Sequence, residues 1–175
     1  MNEVENLVQH TKDVYGWLNK FIEATPQDRW DETPAVIESN VTWQVGHMIT
    51  SIYFHTIMVI RGHQPDILKT IPLKEYVELF SFNETPQHAA GKTDPTTLKN
   101  QLTMMEEKSL HIIGTLSLEE LTHPLEPTRT PHPIATIKSE SLYWNINHTM
   151  YHCGQIGILK RIVSERYDFG LSKAD

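Results

Sequence analysis

Most of what this sequence predicts starts from Asn145-Ile146-Asn147-His148-Thr149-Met150-Tyr151-His152. The stretch has a helical pattern, and His148 and His152 are four residues apart, so their side chains lie one turn above each other on one face. Two imidazoles in this arrangement can bind one metal ion and leave positions for a third ligand and for water or substrate. Because the chain contains ten histidines, a pair with this spacing also arises often by chance.

Four segments carry apolar residues at the period of an α-helix. They cover residues 2–24, 40–61, 95–115 and 137–165. Asn40 and Asp94 are predicted N-caps, Pro95 fits a first turn, and Gly62 fits the end of the second helix. No segment shows the alternation typical of a strand. We therefore predict an all-α four-helix bundle with long crossover connections, formed by one domain over residues 1–175.

Two long connections complete this architecture. Residues 63–93 hold three prolines and a predicted short helix near Leu73–Phe80, and residues 122–136 hold four prolines. Between them, Ser117 and Glu120 form a predicted capping box for a short extra turn. Connections of this length in a compact domain often cover a site.

Composition narrows the class of protein. The chain has 175 residues, of which 39% are apolar and 21% charged, as is ordinary for a globular protein with a substantial core. Its net charge of −7, without a block of Lys or Arg, argues against nucleic-acid binding. The most apolar run, 49–60, is too short to span a bilayer, and the acidic N-terminus is unlike a secretory signal. With Cys153 as its one cysteine, the chain has no internal disulfide, and we expect a cytoplasmic location.

Polar residues occupy the core side of two predicted helices. Steps of about 100° per residue place one set in the fourth helix on a single arc: Ser141, Asn145, His148, His152 and Gln155. In the second helix, the same geometry groups Trp43, Gln44, His47, Ser51, Phe54 and Met58. A single histidine on such a face is more often a hydrogen-bonded core residue than a ligand. A shared metal ion, however, would satisfy three buried rings at once.

Two stretches carry a resemblance to a known family. They are Thr42-Trp43-Gln44-Val45-Gly46-His47-Met48 and Asn147-His148-Thr149-Met150-Tyr151-His152-Cys153-Gly154-Gln155-Ile156. The second contains the pattern H-x3-H-x-G-Q-I, and the chain resembles the DinB-like superfamily of metal-binding four-helix bundles, which includes the YfiT-type bacillithiol transferases. The resemblance implies that His47, His148 and His152 bind one divalent ion, either Zn, Ni, Mn or Fe. At Cys153 the chain departs from many relatives, which carry arginine there.

A site with three neutral histidines keeps open positions, and an ion in such a site can lower the pKa of bound water or activate a thiolate. Acceptors in the surrounding layer should fix the histidine tautomers. The candidates by helix geometry are Gln44, Ser51, Asn145 and Gln155, and ordinary buried hydrogen bonding is the alternative for each. The sequence identifies no catalytic residue and no general base, and it lacks the His-Glu-x-x-His motif of zincins.

The remaining histidines are predicted to lie away from the metal. His55 is rotated about 80° off the arc of His47 in a regular α-helix, and His63 follows Gly62, so both are interpreted as surface or loop groups. His10 is predicted to be solvated, and His111 to form an exposed pair with Glu107. The loop around Arg129 and His132 either is solvated or leans over the metal to bind an anion. Cys153 is predicted to be a small core residue.

The second and fourth helices each carry a second apolar side. In the second helix it consists of Val45, Ile49, Ile52, Val59 and Ile60, and in the fourth of Tyr143, Trp144, Tyr151, Ile158 and Ile162. A monomeric bundle needs one apolar stripe per helix, so a homodimer is the simplest explanation. The two long connections provide the alternative cover.

Three functions compete at this point. The first is a metal-dependent thiol S-transferase or hydrolase that acts on a small electrophile, where the thiol comes from the family resemblance. The second is a non-catalytic metal- or ligand-binding dimer related to stress, in which the ion stabilises the bundle. The third, a DNA-binding damage-response protein, follows from the superfamily name, and the acidic composition argues against it. A structural site would be closed by four protein ligands, whereas a catalytic site would open to a cavity.

Overall fold

The computed structural model describes residues 1–171, so the last four residues of the predicted domain, 172–175, lie outside the described part. Within that part the chain is helical, with one isolated antiparallel bridge between Pro124 and Ile137. The prediction of an all-α fold is therefore confirmed. Among the described helices, none combines the length and the apolar character that crossing a membrane requires.

Within residues 1–171, four long helices form the bundle, and three short helices lie in the connection between the second and third of them. In chain order, the helices are α1 (Glu3–Glu23), α2 (Val41–Ile52, continued by Tyr53–Met58 and Val59–Arg61), α3 (Pro65–Thr70), α4 (Leu73–Phe80), α5 (Pro86–Ala89), α6 (Pro95–Gly114) and α7 (Lys138–Val163). Two short 3₁₀ turns cover Gln27–Arg29 and Glu120–Thr122. The predicted long helices agree with these bounds within about two residues, which is the ordinary scatter of helix ends.

Local capping explains why the long helices start where they do. The Asn40 side chain accepts a hydrogen bond from the backbone N–H of Trp43, and Asp94 does the same for Thr97, with Pro95 in the first turn. At the other end of α2, Gly62 has a φ of 75°, which favours glycine and ends the helix. The predicted caps are confirmed.

Helix α2 departs from a regular α-helix at the π-helical segment Tyr53–Met58. In a π-helix the hydrogen bonds run from i to i+5, so each residue advances by less than the ~100° of an α-helix. Two backbone carbonyl groups in and after this segment accept hydrogen bonds from side chains of α7. The Ser141 hydroxyl donates to the carbonyl of His55 at 2.7 Å, and the Lys138 ammonium donates to the carbonyl of Ile60 at 2.8 Å. These bonds tie the start of α7 to the end of α2.

The packing of the long helices sets which faces meet. Helix α1 packs against α6 and α7, and so does α2, which places α1 and α2 diagonally opposite each other. Helix α4 covers another side of α2. The second apolar side of α2 is consequently buried within the chain, since Val45, Ile49, Ile52, Val59 and Ile60 are all fully buried. Helix α6 and α4 of the first connection pack on α2, so this apolar side needs no partner chain to bury it.

The second apolar side of α7 remains exposed. Its exposed members are Tyr143, Tyr151, Ile158 and Ile162, together with Met150. The inner side of α7 carries the polar arc predicted from the sequence, because Ser141, Asn145 and His152 are buried and face α2 or α1. Helices α2 and α7 therefore meet along polar faces.

Candidate metal centre

The structure brings the rings of His47, His148 and His152 together, although His47 lies about a hundred residues away in the chain. One ring nitrogen from each histidine lies within 4.8 Å of those of the other two. The Nε2 atoms of His148 and His152 are 3.1 Å apart. Two nitrogen ligands about 2.1 Å from a common ion are roughly 3.0–3.4 Å apart, so this spacing matches that of two ligands of one ion.

Each of the three rings makes a hydrogen bond through its Nδ1 atom to a different residue. Nδ1 of His47 lies 2.8 Å from the carbonyl oxygen of Phe80, and Nδ1 of His148 lies 2.9 Å from the hydroxyl of Ser51. Nδ1 of His152 lies 2.6 Å from Oε1 of Gln44. With the proton on Nδ1, each ring donates to its acceptor and keeps Nε2 available as a ligand atom. The donor set of three neutral imidazoles therefore fits a divalent ion.

The acceptors agree in part with those expected from helix geometry. Gln44 and Ser51 contact the histidines as expected, and Gln155 acts one step further out, because its Oε1 accepts from Nε2 of Gln44 at 2.6 Å. Asn145 is not part of the cluster. Its amide instead donates to the hydroxyl of Tyr15 at 3.2 Å, on the side of α7 that faces α1.

The carbonyl of Phe80 was missed by sequence reasoning, and the glycine before His47 is the signal that could have found it. A Cβ atom at Gly46 would lie 2.4–2.5 Å from the Phe80 ring. Only a residue without a side chain lets this ring pack against α2. The close approach brings the last residue of α4 beside His47, and so places its carbonyl oxygen within reach of the ring.

Two of the three histidine rings, His47 and His148, each stack against a tryptophan. Trp43 stacks on His47 with ring centroids 4.8 Å apart and an interplanar angle of 8°. Trp144 lies over His148 with centroids 5.6 Å apart. Since a stacked ring cannot rotate freely, these contacts pre-orient the ligand atoms.

Burial keeps all three rings neutral near neutral pH. Desolvation lowers the pKa of His47 below its ordinary value, although the hydrogen bond with Phe80 opposes this shift. Desolvation, with the neighbouring rings, lowers the pKa of His148 to about 4 and that of His152 to about 2. Because a metal binds the neutral imidazole, this environment favours ligation over protonation.

A cavity of about 550 Å³ opens beside the three rings and is called the histidine cavity below. Its walls include four histidines, at positions 47, 55, 148 and 152, and five aromatic residues, Trp43, Phe54, Phe82, Trp144 and Tyr151. No Lys, Arg, Asp or Glu side chain of residues 1–171 lines it. Its size is that of a pocket for a small molecule.

The prediction that His55 is a surface or loop group is wrong. His55 is only 7% exposed, and its ring centroid lies 5.6 Å from that of His148. The π-helical segment is the reason, because its smaller turn per residue brings His55 back toward the face of His47. Desolvation, together with His132 and His148, lowers the pKa of His55 to about 2.

Each of the two interpretations of the loop over residues 122–136 holds for one of its residues. His132 leans inward, and its ring stacks on Phe54 at a centroid distance of 5.5 Å. Arg129 is exposed, so the prediction of a solvated side chain is confirmed for that residue. His10, His63, Glu107 and His111 are exposed, as predicted, although Glu107 and His111 form no ion pair within residues 1–171. Cys153 is 1% exposed, and burial raises the pKa of its thiol to about 12, as a core residue requires.

The chain is similar to a known protein family and to a solved structure. A family model described as the DinB superfamily matches residues 10–156. Among solved structures, the chain is similar to a conserved protein from Enterococcus faecalis, with a TM-score of 0.71 and 16% sequence identity, and the match covers 93% of this chain and 98% of that one. At this identity the likeness shows the fold alone. No curated protein matches the chain at a significant level.

Proposed function

Since this chain belongs to the DinB superfamily, we propose that it is a metal-dependent enzyme, a thiol S-transferase or hydrolase that acts on a small electrophile. His47, His148 and His152 would hold a divalent ion. When bound, that ion supplies Lewis acidity, which lowers the pKa of a thiol or a water molecule to near neutrality. In the transferase reaction, the thiol sulfur forms a bond to carbon and the thiol proton passes to solvent. The bond that breaks at that carbon gives its electrons either to a departing halide or to an epoxide oxygen, which stays on the product and takes up a proton from solvent.

The single observation that carries this proposal is the histidine cavity itself. A purely structural ion would be enclosed by a fourth protein ligand. In the part of the chain that the structure describes, the cluster has three members, and a cavity of about 550 Å³ lies beside them. This arrangement favours the enzyme over the alternative, a non-catalytic metal-binding protein.

The walls of the cavity indicate the class of electrophile. Trp43 and Trp144 flank the histidines, and Phe82, which is 83% exposed, stands at the rim. Because no charged side chain of residues 1–171 lines the cavity, the walls offer no ion pair to a charged substrate and favour an apolar one. An aryl or alkyl halide or an epoxide has the required character. The charged parts of a low-molecular-weight thiol would remain outside.

The test is a thiol-transfer assay with protein that carries no His-tag. The protein is stripped with a chelator and reloaded separately with zinc, nickel, manganese or iron(II), and the disappearance of a cysteinyl thiol in the presence of an aryl halide is followed. We expect an acceleration with at least one metal that is lost in His148→Ala and kept in His10→Ala, which alters an exposed histidine. If removing the metal lowers the melting temperature and no metal accelerates any transfer or hydrolysis, the alternative is correct.

Two further proposals concern the setting of this activity. The exposed apolar side of α7, with Tyr143, Tyr151, Ile158 and Ile162, supports a homodimer. Light scattering coupled to size exclusion tests it, with Ile158→Glu expected to give a monomer.

We also place the reaction in the cytoplasm, where low-molecular-weight thiols are kept reduced.

A further inference from the structure

A second pair of histidines lies beside the metal-ligand candidates. Nδ1 of His55 is 2.7 Å from Nε2 of His132. His55 comes from the π-helical segment of α2, and His132 from the connection that precedes α7. The ring of His55 stands edge-on to His148, so the pair adjoins the three-ring cluster without belonging to it.

The backbone fixes where the proton of His132 lies. Its Nδ1 atom accepts hydrogen bonds from the backbone N–H groups of Ala135, at 2.8 Å, and Ile134, at 3.2 Å. A backbone N–H can only donate, so Nδ1 of His132 carries no proton. A neutral imidazole has one N–H, which is therefore on Nε2 and points to His55.

The proton of His55 follows by the same reasoning. Because His132 donates to Nδ1 of His55, that atom is an acceptor, and the single proton of His55 is on Nε2. The chain of donors then runs from the backbone at Ala135, through His132, to His55. Its last group is an N–H that has no hydrogen-bond partner among residues 1–171.

Two residues, Phe54 and Ser141, hold this pair in its orientation. The ring of His132 stacks on Phe54 with an interplanar angle of 6°. The Ser141 hydroxyl donates to the backbone carbonyl of His55 and lies 3.3 Å from Nε2 of His132. Since His55 lines the histidine cavity and is almost fully buried, its free N–H group is a pre-oriented donor beside that cavity. An acceptor atom on a molecule in the cavity would complete the hydrogen bonding of this donor without any reorientation of the ring.

We propose that His55, oriented by His132, donates a hydrogen bond from Nε2 to an oxygen acceptor of the molecule that occupies the histidine cavity. His55 is then a substrate-binding residue and His132 a positioning residue. The proposal refines the proposed function, on which it rests for the identity of that molecule as the electrophile. It narrows the electrophiles to those that carry a carbonyl or nitro oxygen near the reacting carbon.

The fixed polarity of the donor chain gives the proposal its selectivity. A donor that cannot become an acceptor binds an oxygen lone pair and leaves an amine or hydroxyl hydrogen unpaired. The same hydrogen bond stabilises negative charge that develops on a carbonyl or nitro oxygen when a nucleophile adds to the neighbouring carbon. No covalent change occurs at either histidine.

The test combines a measurement of tautomers with a binding titration, and it needs no enzymatic activity. Long-range ¹H–¹⁵N NMR spectra of the wild-type protein, stripped and zinc-loaded, should show His55 and His132 each with the proton on Nε2. Acetate, used as the oxygen probe, should shift the His55 Nε2–H resonance of the zinc-loaded protein in a saturable way. A proton on Nδ1 of His55, or no shift with acetate, would overturn the proposal.

Variants separate the donor from the bulk of the ring. His55→Leu removes the donor, and we expect the dissociation constant of acetate to rise about tenfold. His55→Gln keeps an N–H near the same position and should restore binding. His132→Phe keeps the stacking on Phe54 and should release the His55 tautomer to a mixture, which a merely structural role of His132 would not do. Equal acetate affinity in the Leu and Gln variants would contradict the role of the donor.

The proposal and the function on which it rests can fail separately. If no metal supports transfer but the tautomers and the acetate response are as described, the donor stands and the enzymatic proposal fails. If transfer is observed while His55 carries its proton on Nδ1, the enzyme stands and the donor fails.

Discussion

Oε1 of Gln44 lies 2.6 Å from Nδ1 of His152, so the Gln44 amide can accept from that ring when the proton is on Nδ1. Its Nε2 atom donates to the hydroxyl of Ser39 at 2.7 Å and to Oε1 of Gln155 at 2.6 Å. In this orientation the oxygen faces His152 and favours the tautomer that keeps Nε2 of that ring available as a ligand atom. Residues 39 and 155 thus act on the candidate ligand through one buried amide.

Replacing that amide should weaken metal binding without touching a ligand. We expect Gln44→Leu to lower the affinity for zinc about 10- to 100-fold, since Nδ1 of His152 loses its acceptor and the ring its fixed orientation. A competition titration with a chromogenic chelator measures the change. Gln9→Leu, which alters an exposed glutamine of α1, is the control and should bind zinc as the wild type does. Equal affinity in both variants would show that Gln44 does not orient the ligand.

The glycine before His47 provides a second test of positioning. In Gly46→Ala, the new methyl group would clash with the Phe80 ring, and moving that ring also displaces the carbonyl that holds His47. We expect a loss of about 1–3 kcal/mol in the free energy of unfolding together with weaker zinc binding, measured by urea unfolding and chelator competition.

Gly16→Ala is the matched control for that variant. A Cβ atom at Gly16 would meet no atom of residues 1–171 within 4 Å, and alanine is about 1 kcal/mol more favourable than glycine inside a helix. This variant should therefore be as stable as the wild type or more so. A Gly46→Ala protein that matches it in stability and zinc affinity would contradict the packing argument.

Much of the fold was predictable because its signals are local. The caps at Asn40 and Asp94 and the stop at Gly62 depend on a few neighbouring residues, so the long helices begin and end where the sequence indicates. The inward arc of α7 follows from a regular period of 3.6 residues per turn. The convergence of His47 with His148 and His152 rested on the resemblance as well as on these arcs.

The parts that were missed depend on contacts between distant segments. The π-helical segment of α2 accepts a hydrogen bond from Ser141 at the carbonyl of His55. The rotation of about 80° predicted for His55 assumed a regular α-helix, so it does not hold in this wider segment. The carbonyl of Phe80 belongs to the backbone, and its position is set by a ring that packs on a glycine far away in sequence. Asn145 lies on the predicted arc but nearer its edge, where Tyr15 of α1 is the closer partner.

A buried carboxyl group apart from the site predicts an unusual dependence on pH. Glu106 of α6 is 7% exposed; one oxygen accepts from the Asn19 amide at 2.8 Å, and the other has no partner among residues 1–171. Desolvation raises its pKa from 4.5 to about 7. Since the folded pKa exceeds the unfolded one, stability is highest below the unfolded value and falls as the pH rises through 7.

Glu106→Gln should remove that loss. At about pH 8 we expect the variant to be more stable than the wild type by on the order of 2–3 kcal/mol, and near pH 4.5 to be about equal to it. Urea unfolding at both pH values measures the difference. Glu107→Gln changes the exposed neighbour and should stay within about 0.5 kcal/mol of the wild type. A gain of equal size at both pH values would argue against titration of Glu106.

The candidate ligands predict the opposite slope. Burial holds the pKa of His148 near 4 and that of His152 near 2, below the value of about 6.5 in an unfolded chain. Between these values the unfolded chain binds more protons, so the histidines contribute stability above about pH 6.5 that is lost as the pH falls toward 4. Urea unfolding of the metal-free Glu106→Gln protein isolates this effect, and His148→Ala should reduce the slope. Stability that rises on acidification in this background would refute the prediction.

Metal analysis of the protein tests the central claim most directly. Protein expressed without a His-tag and dialysed extensively should contain about one equivalent of a divalent metal per chain by elemental analysis. We expect His10→Ala to retain that equivalent and His148→Ala to lose it, with unchanged helical content by circular dichroism in both. A wild-type protein that binds no divalent metal even after exposure to each of the four candidates, or a His148→Ala protein that keeps its full equivalent, would contradict the account.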